Sequence, residues 1–193
     1  MIGLRILTFT ERGSSDVRVG TVFRNGLVLD LREALASLLT DRYSTSIYTA
    51  RDFANSIAGD MRRFIELYPI VAPLITEAIR IYGSREPEHL IKEGLALGMS
   101  EIRFLPVVPN PSKVIGIGLN YEEYREALRY PKPEVPLFFF KPTNTLIGHE
   151  DYVAIPRGGR WPGTASNCVY HEFEMAVVIG RRAKNVARED AYR

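Results

Sequence analysis

The chain has 193 residues, of which 46% are hydrophobic and 25% charged, so it can bury a core as one large domain or two small ones. Its 25 basic and 23 acidic residues are mixed along the sequence and leave a formal net charge of +2, which argues against a nucleic-acid or membrane-surface protein. The single cysteine, Cys168, excludes an internal disulfide framework and a thiolate metal cluster within one chain.

The sequence also lacks the patterns of a membrane span and of an export signal. No apolar run approaches the length that is needed to cross a bilayer. The opening residues MIGLR have neither the basic region nor the long apolar core of a signal peptide. We therefore expect a cytoplasmic protein that works without a membrane or a nucleic acid.

A β-hairpin is predicted near the start of the chain. Side chains alternate in character along residues 17–23, and leucines alternate along residues 27–31. Between the two runs stands Asn25-Gly26, the dipeptide that most favours a two-residue hairpin turn. The pattern therefore predicts two antiparallel strands that are joined at this dipeptide.

Helices are predicted after the hairpin. Asp30 with Glu33 three residues later resembles a capping box and predicts a helix over 31–39. Apolar residues at helical spacing in 74–82 predict a core-facing helix that ends at Gly83. Further helix starts are predicted at Thr49 with Asp52 and at Asp60.

A change of composition divides the chain. The stretch SEIRFLPVVPNP at 100–111 is rich in proline and predicts a linker. We place the boundary near Val108, so that residues 1–108 form a small N-terminal α/β domain and residues 109–193 begin a second domain. Short β-rich runs are predicted there at 113–118, 137–140, 152–155 and 173–179, with one helix at 122–129.

Two glutamates precede an apolar run in YHEFEMAVVIG at 170–180. On a strand, residues two apart point to the same face, so Glu172 and Glu174 would lie side by side with Phe173 opposite. Such a pair of carboxylates can bind a hard divalent cation such as Mg²⁺, Ca²⁺ or Mn²⁺. Ordinary exposed glutamates on a wet strand edge are the alternative interpretation.

Three segments together resemble the fumarylacetoacetate hydrolase family: KVIGIGLNY at 113–121, PLFFFKP with NTLIG within 136–148, and the glutamate run at 170–180. The resemblance covers residues 113–193, and the preceding hairpin and helices are similar to the small N-terminal domain of many members. It implies an α+β protein in which that domain is followed by the first part of a mixed β-roll. The chain looks closest to the isomerase and decarboxylase branch of homoprotocatechuate breakdown.

The resemblance also implies roles for particular residues. Glu172 and Glu174 would be metal ligands, with Mg²⁺ as the expected cation, Mn²⁺ or Ca²⁺ as alternatives, and an aspartate further along the chain as third ligand. Tyr121 and Lys141 would line the pocket for a small 2-oxo acid, and Arg125 would be a second carboxylate contact. Members commonly pair, so a homodimer is expected.

One departure from the family pattern bears on the reaction. Where the family usually carries a histidine and a glutamate that activate water, this chain has Tyr124 and Ala127. We therefore expect isomerisation or decarboxylation of 2-oxo or 2-hydroxy-diene acids through a metal-stabilised enolate, with Lys141 and Tyr124 as catalytic candidates. Hydrolysis of acylpyruvates or fumarylacetoacetate-like diketo acids remains an alternative if His149 or His171 reaches the pocket.

The last residues raise a further alternative. The segment AREDAYR at 187–193 resembles the helix opening that precedes the family's next strands. We therefore expect a fragment, completed or not by a second chain, and a non-catalytic interaction module is the rival to an enzyme. The stretch at 157–167, which carries the only tryptophan, would be a lid or a longer connection between strands.

Overall fold

A five-stranded antiparallel sheet organises the first part of the computed structural model, which describes residues 4–23, 26–155 and 168–192. The order across the sheet is β4-β3-β2-β1-β5, so the three strands nearest the N-terminus form a meander with one short strand at each edge. The strands are β1 Ile6–Glu11, β2 Arg18–Phe23, β3 Leu27–Asp30, β4 Ala96–Gly98 and β5 Ile102–Phe104.

The predicted hairpin is confirmed as β2 and β3. Phe23 stands opposite Leu27 and Thr21 opposite Leu29, a register that leaves three positions, 24–26, between the paired residues instead of the two of the predicted turn. Gly26 has a φ of 81°, in the left-handed region that glycine enters without steric strain. Asn25, the other half of the predicted turn, lies outside the described residues.

Helices follow the hairpin: α1 Leu31–Tyr43, α2 Ile47–Ala58, α3 Met61–Tyr82 and α4 Pro87–Lys92. The predicted start at Asp30 is confirmed, because its carboxylate accepts from the backbone N–H groups of Arg32 (2.9 Å) and Glu33 (3.3 Å). Asp60 likewise caps α3 through the backbone N–H of Arg63 (2.9 Å). The predicted end at Gly83 is confirmed as well.

The start predicted at Thr49 and Asp52 was wrong by a few residues. Helix α2 begins at Ile47, and the hydroxyl of Ser46 accepts the backbone N–H of Thr49 at 3.3 Å. Serine is as good an N-cap as aspartate, and here it precedes the first helical residue directly. Asp52 therefore lies inside the helix rather than before it.

The main core lies between the sheet and α1, α2 and α3. Its largest members are less than 2% exposed, and burial of each aliphatic or aromatic side chain of this kind is worth about 1.5–3 kcal/mol. They include Leu29, Leu31, Leu35, Ile57, Ile75 and Tyr82. A smaller cluster contains Leu7, Phe9, Val28 and Ile102.

Beside this core, an ionic cluster ties β1, β2 and the start of α1 together. Arg18 contacts Glu11 and lies 3.1 Å from the fully buried carboxylate of Asp30, whereas Arg32 lies 2.7 Å from Asp16. The hydrogen bond from Arg32 has the largest effect on the pKa of Asp16. Burial opposes it as the second-largest effect, and with the hydrogen bond from Arg18 and the charges of both arginines the pKa is lowered to about 2. Burial, in contrast, raises the pKa of Asp30 despite the neighbouring Arg18.

The second part of the chain contains a two-stranded antiparallel sheet. Strands β6 Val114–Gly118 and β7 Leu137–Lys141 pair with Ile115 opposite Phe140, and helix α5 Glu122–Ala127 lies between them in sequence. These elements confirm the runs predicted at 113–118, 137–140 and 122–129. Together with the first sheet and its helices they confirm the α+β class, whereas the roll and the division at Val108 stay predictions.

The strands predicted at 152–155 and 173–179 are absent. A strand requires hydrogen-bonded pairing with a neighbour, and none of the described residues provides such a ladder to either run. Their apolar side chains stay in solvent, with Phe173 95% exposed. Alternation and apolar character were therefore insufficient to form these strands.

The two parts touch at β5 and at α3. Arg103 pairs with Asp151 at 3.0 Å, and the ring of His149 packs edge-on against Phe104 with 5.5 Å between centroids. On the α3 side, Gly180 lies close to the side chain of Ile65. No helix in the described part of the chain combines the length and the hydrophobicity that a membrane-spanning helix requires.

Candidate functional site

A sharp turn at the end of β6 begins the candidate site. Leu119 follows Gly118 with a φ of 55°, in the left-handed region that non-glycine residues rarely adopt. Asn120 and Tyr121 come next, and α5 starts at Glu122. Strain of this kind, of order 1–3 kcal/mol, persists only where the surroundings hold the backbone in place.

This turn contacts the segment that carries the two glutamates. The side-chain amide of Asn120 donates to Oε2 of Glu174 at 3.1 Å, and the backbone N–H of Met175 donates to the hydroxyl of Tyr121 at 3.3 Å. Each bond joins residues 54 positions apart. Two of the three segments that carry the family resemblance are thus brought together.

The strand that was predicted to carry the glutamate pair is not formed. Because residues 173–179 have no strand pairing with any described residue, the same-face arrangement of Glu172 and Glu174 stays a prediction. Both side chains are exposed, and Glu174 is the one that the turn after β6 contacts. Among the described residues, Oε1 of Glu174 has no hydrogen-bond partner and can accept one.

The donor chemistry of the pair fits a hard cation. Carboxylate oxygens are what Mg²⁺, Mn²⁺ and Ca²⁺ prefer, and Mg²⁺ is commonly held by one or two carboxylates with water or substrate completing its shell. Among the described residues, however, no group of three or more His, Cys, Asp or Glu is arranged to hold a metal. Glu172 and Glu174 could therefore supply two ligands of a site that needs further oxygen donors.

A shallow hollow of about 530 Å³ is lined by Tyr121 together with Glu122, Glu123 and Glu126. Three carboxylates there would repel an anionic substrate in the absence of a compensating positive charge. Tyr124, the residue that replaces the family histidine, lies on the same helix and is 48% exposed.

Arg125 has a structural role in the described residues. Its guanidinium donates to the backbone carbonyl of Tyr130 at 3.0 Å and lies 3.5 Å from the carboxylates of Glu122 and Glu126. At 9% exposure it is the buried charge of α5. These bonds secure the end of the helix, and the contact with a substrate carboxylate stays a prediction.

Lys141 ends β7 opposite Val114. As predicted, it shares a face with Phe139, and its Nζ lies 5.6 Å from the centroid of that ring. No hydrogen bond or ion pair joins Lys141 to Glu172 or Glu174 among the described residues, so its predicted part in the site rests on the resemblance.

No hydrogen bond, ion pair or ring contact between described residues joins His149 or His171 to the turn after β6. His149 packs on Phe104, next to a turn in which Asp151 accepts the backbone N–H of Gly148 at 2.9 Å. That hydrogen bond, and then the one from Arg103, lowers the pKa of Asp151. His171 is exposed next to Glu172.

Asn120 is the site residue to which the sequence analysis gave no role. Its signal was present, because it stands in the family-like segment at 113–121, directly before Tyr121. What the sequence lacked was its partner, since a contact over 54 positions has no local pattern. The predicted loop at 157–167 lies outside the described residues.

Comparison with known proteins agrees with the resemblance. Residues 113–193 match the family model described as fumarylacetoacetate (FAA) hydrolase, C-terminal. An uncharacterized protein of Archaeoglobus fulgidus is 40% identical over 115 residues, which are 58% of this chain and 43% of that protein. One of Methanocaldococcus jannaschii is 37% identical over 100 residues, 52% of this chain and 36% of that protein.

A relative with a named activity is the mitochondrial oxaloacetate tautomerase FAHD2A of Homo sapiens, 35% identical over 95 residues. The match covers 49% of this chain and 28% of that enzyme, so the chain spans less than half of the length of each of these relatives. The matches thus support the fumarylacetoacetate hydrolase family for residues 113–193, the part of the chain that contains the contact between Asn120 and Glu174.

Proposed function

We propose that this chain provides part of a cation-dependent active site for enolate chemistry on 2-oxo acids, with keto–enol tautomerisation of a 2-oxo dicarboxylic acid such as oxaloacetate as the favoured reaction. The observation that best supports this proposal is the hydrogen bond between Asn120 and Glu174, because it brings together the family-like segments at 113–121 and 170–180. The tautomerases among the relatives support the choice of reaction.

Glu172 and Glu174 hold the cation in this proposal, with Mg²⁺ as the expected ion. When bound, the cation would supply a Lewis acid that stabilises negative charge as the enolate forms. It would also offset the repulsion between the substrate carboxylates and the acidic hollow beside Tyr121.

In this proposal, Tyr121 interacts with a substrate near Glu174. Its hydroxyl oxygen accepts the N–H of Met175, and its own proton therefore stays available for donation to a substrate oxygen. Lys141 would pair with a substrate carboxylate, and Arg125 is a weaker candidate for that contact because its donors already hold Tyr130.

Tautomerisation suits the residues that stand where the family usually carries its water-activating histidine and glutamate. It moves one proton between carbon and oxygen and requires no attacking water, whereas cleavage of a carbon–carbon bond by hydrolysis requires an activated one. Tyr124 and Ala127 replace the residues that would activate it, and Tyr124 would instead carry the proton. Decarboxylation breaks a carbon–carbon bond, releases CO₂ and leaves the enolate of the shorter 2-oxo acid, which is then protonated; it is the second reaction of this class.

The experiment follows the enol of oxaloacetate by its ultraviolet absorbance with Mg²⁺ or Mn²⁺ present. We expect the chain to accelerate the approach to keto–enol equilibrium, and the Glu172→Gln, Glu174→Gln double variant to lose at least 90% of the acceleration. Glu88→Gln, which removes one exposed carboxylate from α4, is the matched control and keeps full activity. An unchanged rate in the double variant would refute the assignment of the pair.

A further inference from the structure

We propose that Asn120 and Tyr121 are positioning residues that fix the Glu174 carboxylate and the backbone next to it, and thereby set the affinity of the cation site. This inference rests on the proposed function, since it concerns the same glutamate pair. Asn120 would not contact substrate or cation; it would act through Glu174.

The turn after β6 is anchored much better than the segment that it contacts. Strand β6 is paired with β7 along its whole length, from Val114 opposite Lys141 to Gly118 opposite Leu137. Helix α5 begins right after Tyr121. Asn120 and Tyr121 are therefore held from both sides, and the left-handed backbone of Leu119 sets their direction.

The segment with the glutamates lacks such support. Residues 168–180 have no strand pairing with any described residue, and most of their side chains are exposed. An unpaired chain samples many backbone and rotamer states, and a metal site has to freeze them when it binds its cation. Contacts that restrict these states in advance strengthen binding.

The two hydrogen bonds restrict complementary parts of the segment. The Asn120 amide binds Oε2 of Glu174 and so limits the side-chain rotamers, whereas the Tyr121 hydroxyl binds the N–H of Met175 and limits the main chain. Oε1 of Glu174 has no hydrogen-bond partner among the described residues and would coordinate the cation. Outer-shell partners of this kind typically account for 10–100-fold in metal affinity.

Asn120→Leu tests the side-chain contact, because leucine has a similar size and shape but no N–H donor. Asn110→Leu is the matched control, since Asn110 is also exposed and its contact with Arg62 is made through the backbone carbonyl. Mn²⁺ is titrated into each full-length chain by calorimetry. We expect about tenfold weaker binding for Asn120→Leu, near the lower limit of that range because the bond is exposed, and unchanged binding for the control.

Tyr121→Phe tests the main-chain contact without any metal. Amide hydrogen exchange, resolved by NMR, should show slowed exchange at Met175 in the wild-type chain and faster exchange in the variant. The amides of Ile115 and Gly116, two consecutive residues inside the β6–β7 ladder, are the internal reference and should not change. Equal exchange at Met175 in both chains would show that the hydrogen bond to Tyr121 does not restrain the main chain, and would overturn this part of the inference.

The outcomes separate the inference from the function on which it rests. If the wild-type chain binds Mn²⁺ and Asn120→Leu binds it equally well, the positioning role is overturned while the cation site stands. If the wild-type chain binds no Mn²⁺ although Met175 exchanges slowly, the hydrogen bond between Tyr121 and Met175 is present and the cation site of the proposed function is overturned. Weaker binding in Asn120→Leu with protected Met175 supports both.

Discussion

The two parts of the molecule differ in how they bury apolar side chains. Around the first sheet, residues such as Leu35 and Ile75 are fully buried between strands and helices. On β6 and β7, one face carries four apolar side chains that are 45–66% exposed, namely Ile115, Ile117, Phe138 and Phe140. The first sheet is stabilised by helices of its own, whereas the second has no layer of described residues over this face.

The comparison shows that hydrophobic composition alone does not produce a core. Phe138 and Phe140 are as apolar as Phe9, and their rings meet edge to face with centroids 6.5 Å apart. Phe9 is nevertheless fully buried, because Ile102, Val28 and Leu7 pack around it. Burial depends on which elements the chain brings together, and stability should follow burial rather than side-chain type.

The largest expected effect comes from a cavity in the first core. Ile75→Ala should reduce the free energy of unfolding by about 2–5 kcal/mol, since Ile75 is fully buried. Phe140→Ala, on the exposed face of β7, should change it by less than about 1 kcal/mol. Urea denaturation followed by circular dichroism measures both. A comparable loss in the two variants would contradict the contrast between the two regions.

The helix starts give a smaller and more local effect. Ser46→Ala should destabilise the fold by about 1 kcal/mol, because the hydroxyl of Ser46 satisfies a backbone N–H at the start of α2. Asp52→Ala should have little effect, since Asp52 lies within that helix. Thermal unfolding of the two variants decides between the cap in the structure and the start predicted from Asp52.

The ionic cluster of the first region predicts a pH dependence. Because the folded pKa of Asp16 is lowered from 3.8 to about 2, its ion pairs with Arg32 and Arg18 stabilise the fold above pH 4, and this contribution is lost as the pH falls toward 2. In Asp16→Asn the melting temperature should be lower at pH 5 and fall less on acidification. Asp52→Asn serves as control. A pH profile of Asp16→Asn identical to that of the wild-type chain would refute the role of the Asp16 ion pairs.

The smallest effect is expected at the contact between the regions. Arg103→Gln removes the pairing with Asp151, which joins the edge strand β5 to the turn beside His149. Since the Arg103 side chain is 60% exposed and water screens the pair, we expect almost no loss in unfolding free energy. Limited proteolysis is more sensitive, and cleavage near 148–151 should become faster. Unchanged cleavage would show that this contact does not hold the turn.

Local patterns explain why much of the first region was predictable. The hairpin follows from alternation along β2 and β3, and the start of α1 from the carboxylate of Asp30 two residues before the N–H group that it caps. Each signal involves neighbours in sequence. The same is true of β6, α5 and β7, all of which were expected near their observed positions.

Predictions failed where a distant partner was required. The run at 173–179 has the composition of a strand, but no described residue pairs with it. The role of Asn120 was missed for the same reason, since its partner Glu174 lies 54 positions away. Strand pairing and side-chain contacts over such distances depend on the closure of long loops, which local propensity does not encode.

By itself, the sequence determined the α+β class, the elements that local capping and alternation specify, and a pair of carboxylates with the chemistry of a hard-cation site. Only the tertiary structure decided which side chains are buried, that the glutamate segment is unpaired with any described strand, and that Asn120 and Tyr121 contact it. The reason is physical: a cap or a hairpin is formed by residues close in sequence, whereas the Asn120–Glu174 contact exists only after β6, β7 and α5 have fixed the turn from which Asn120 extends.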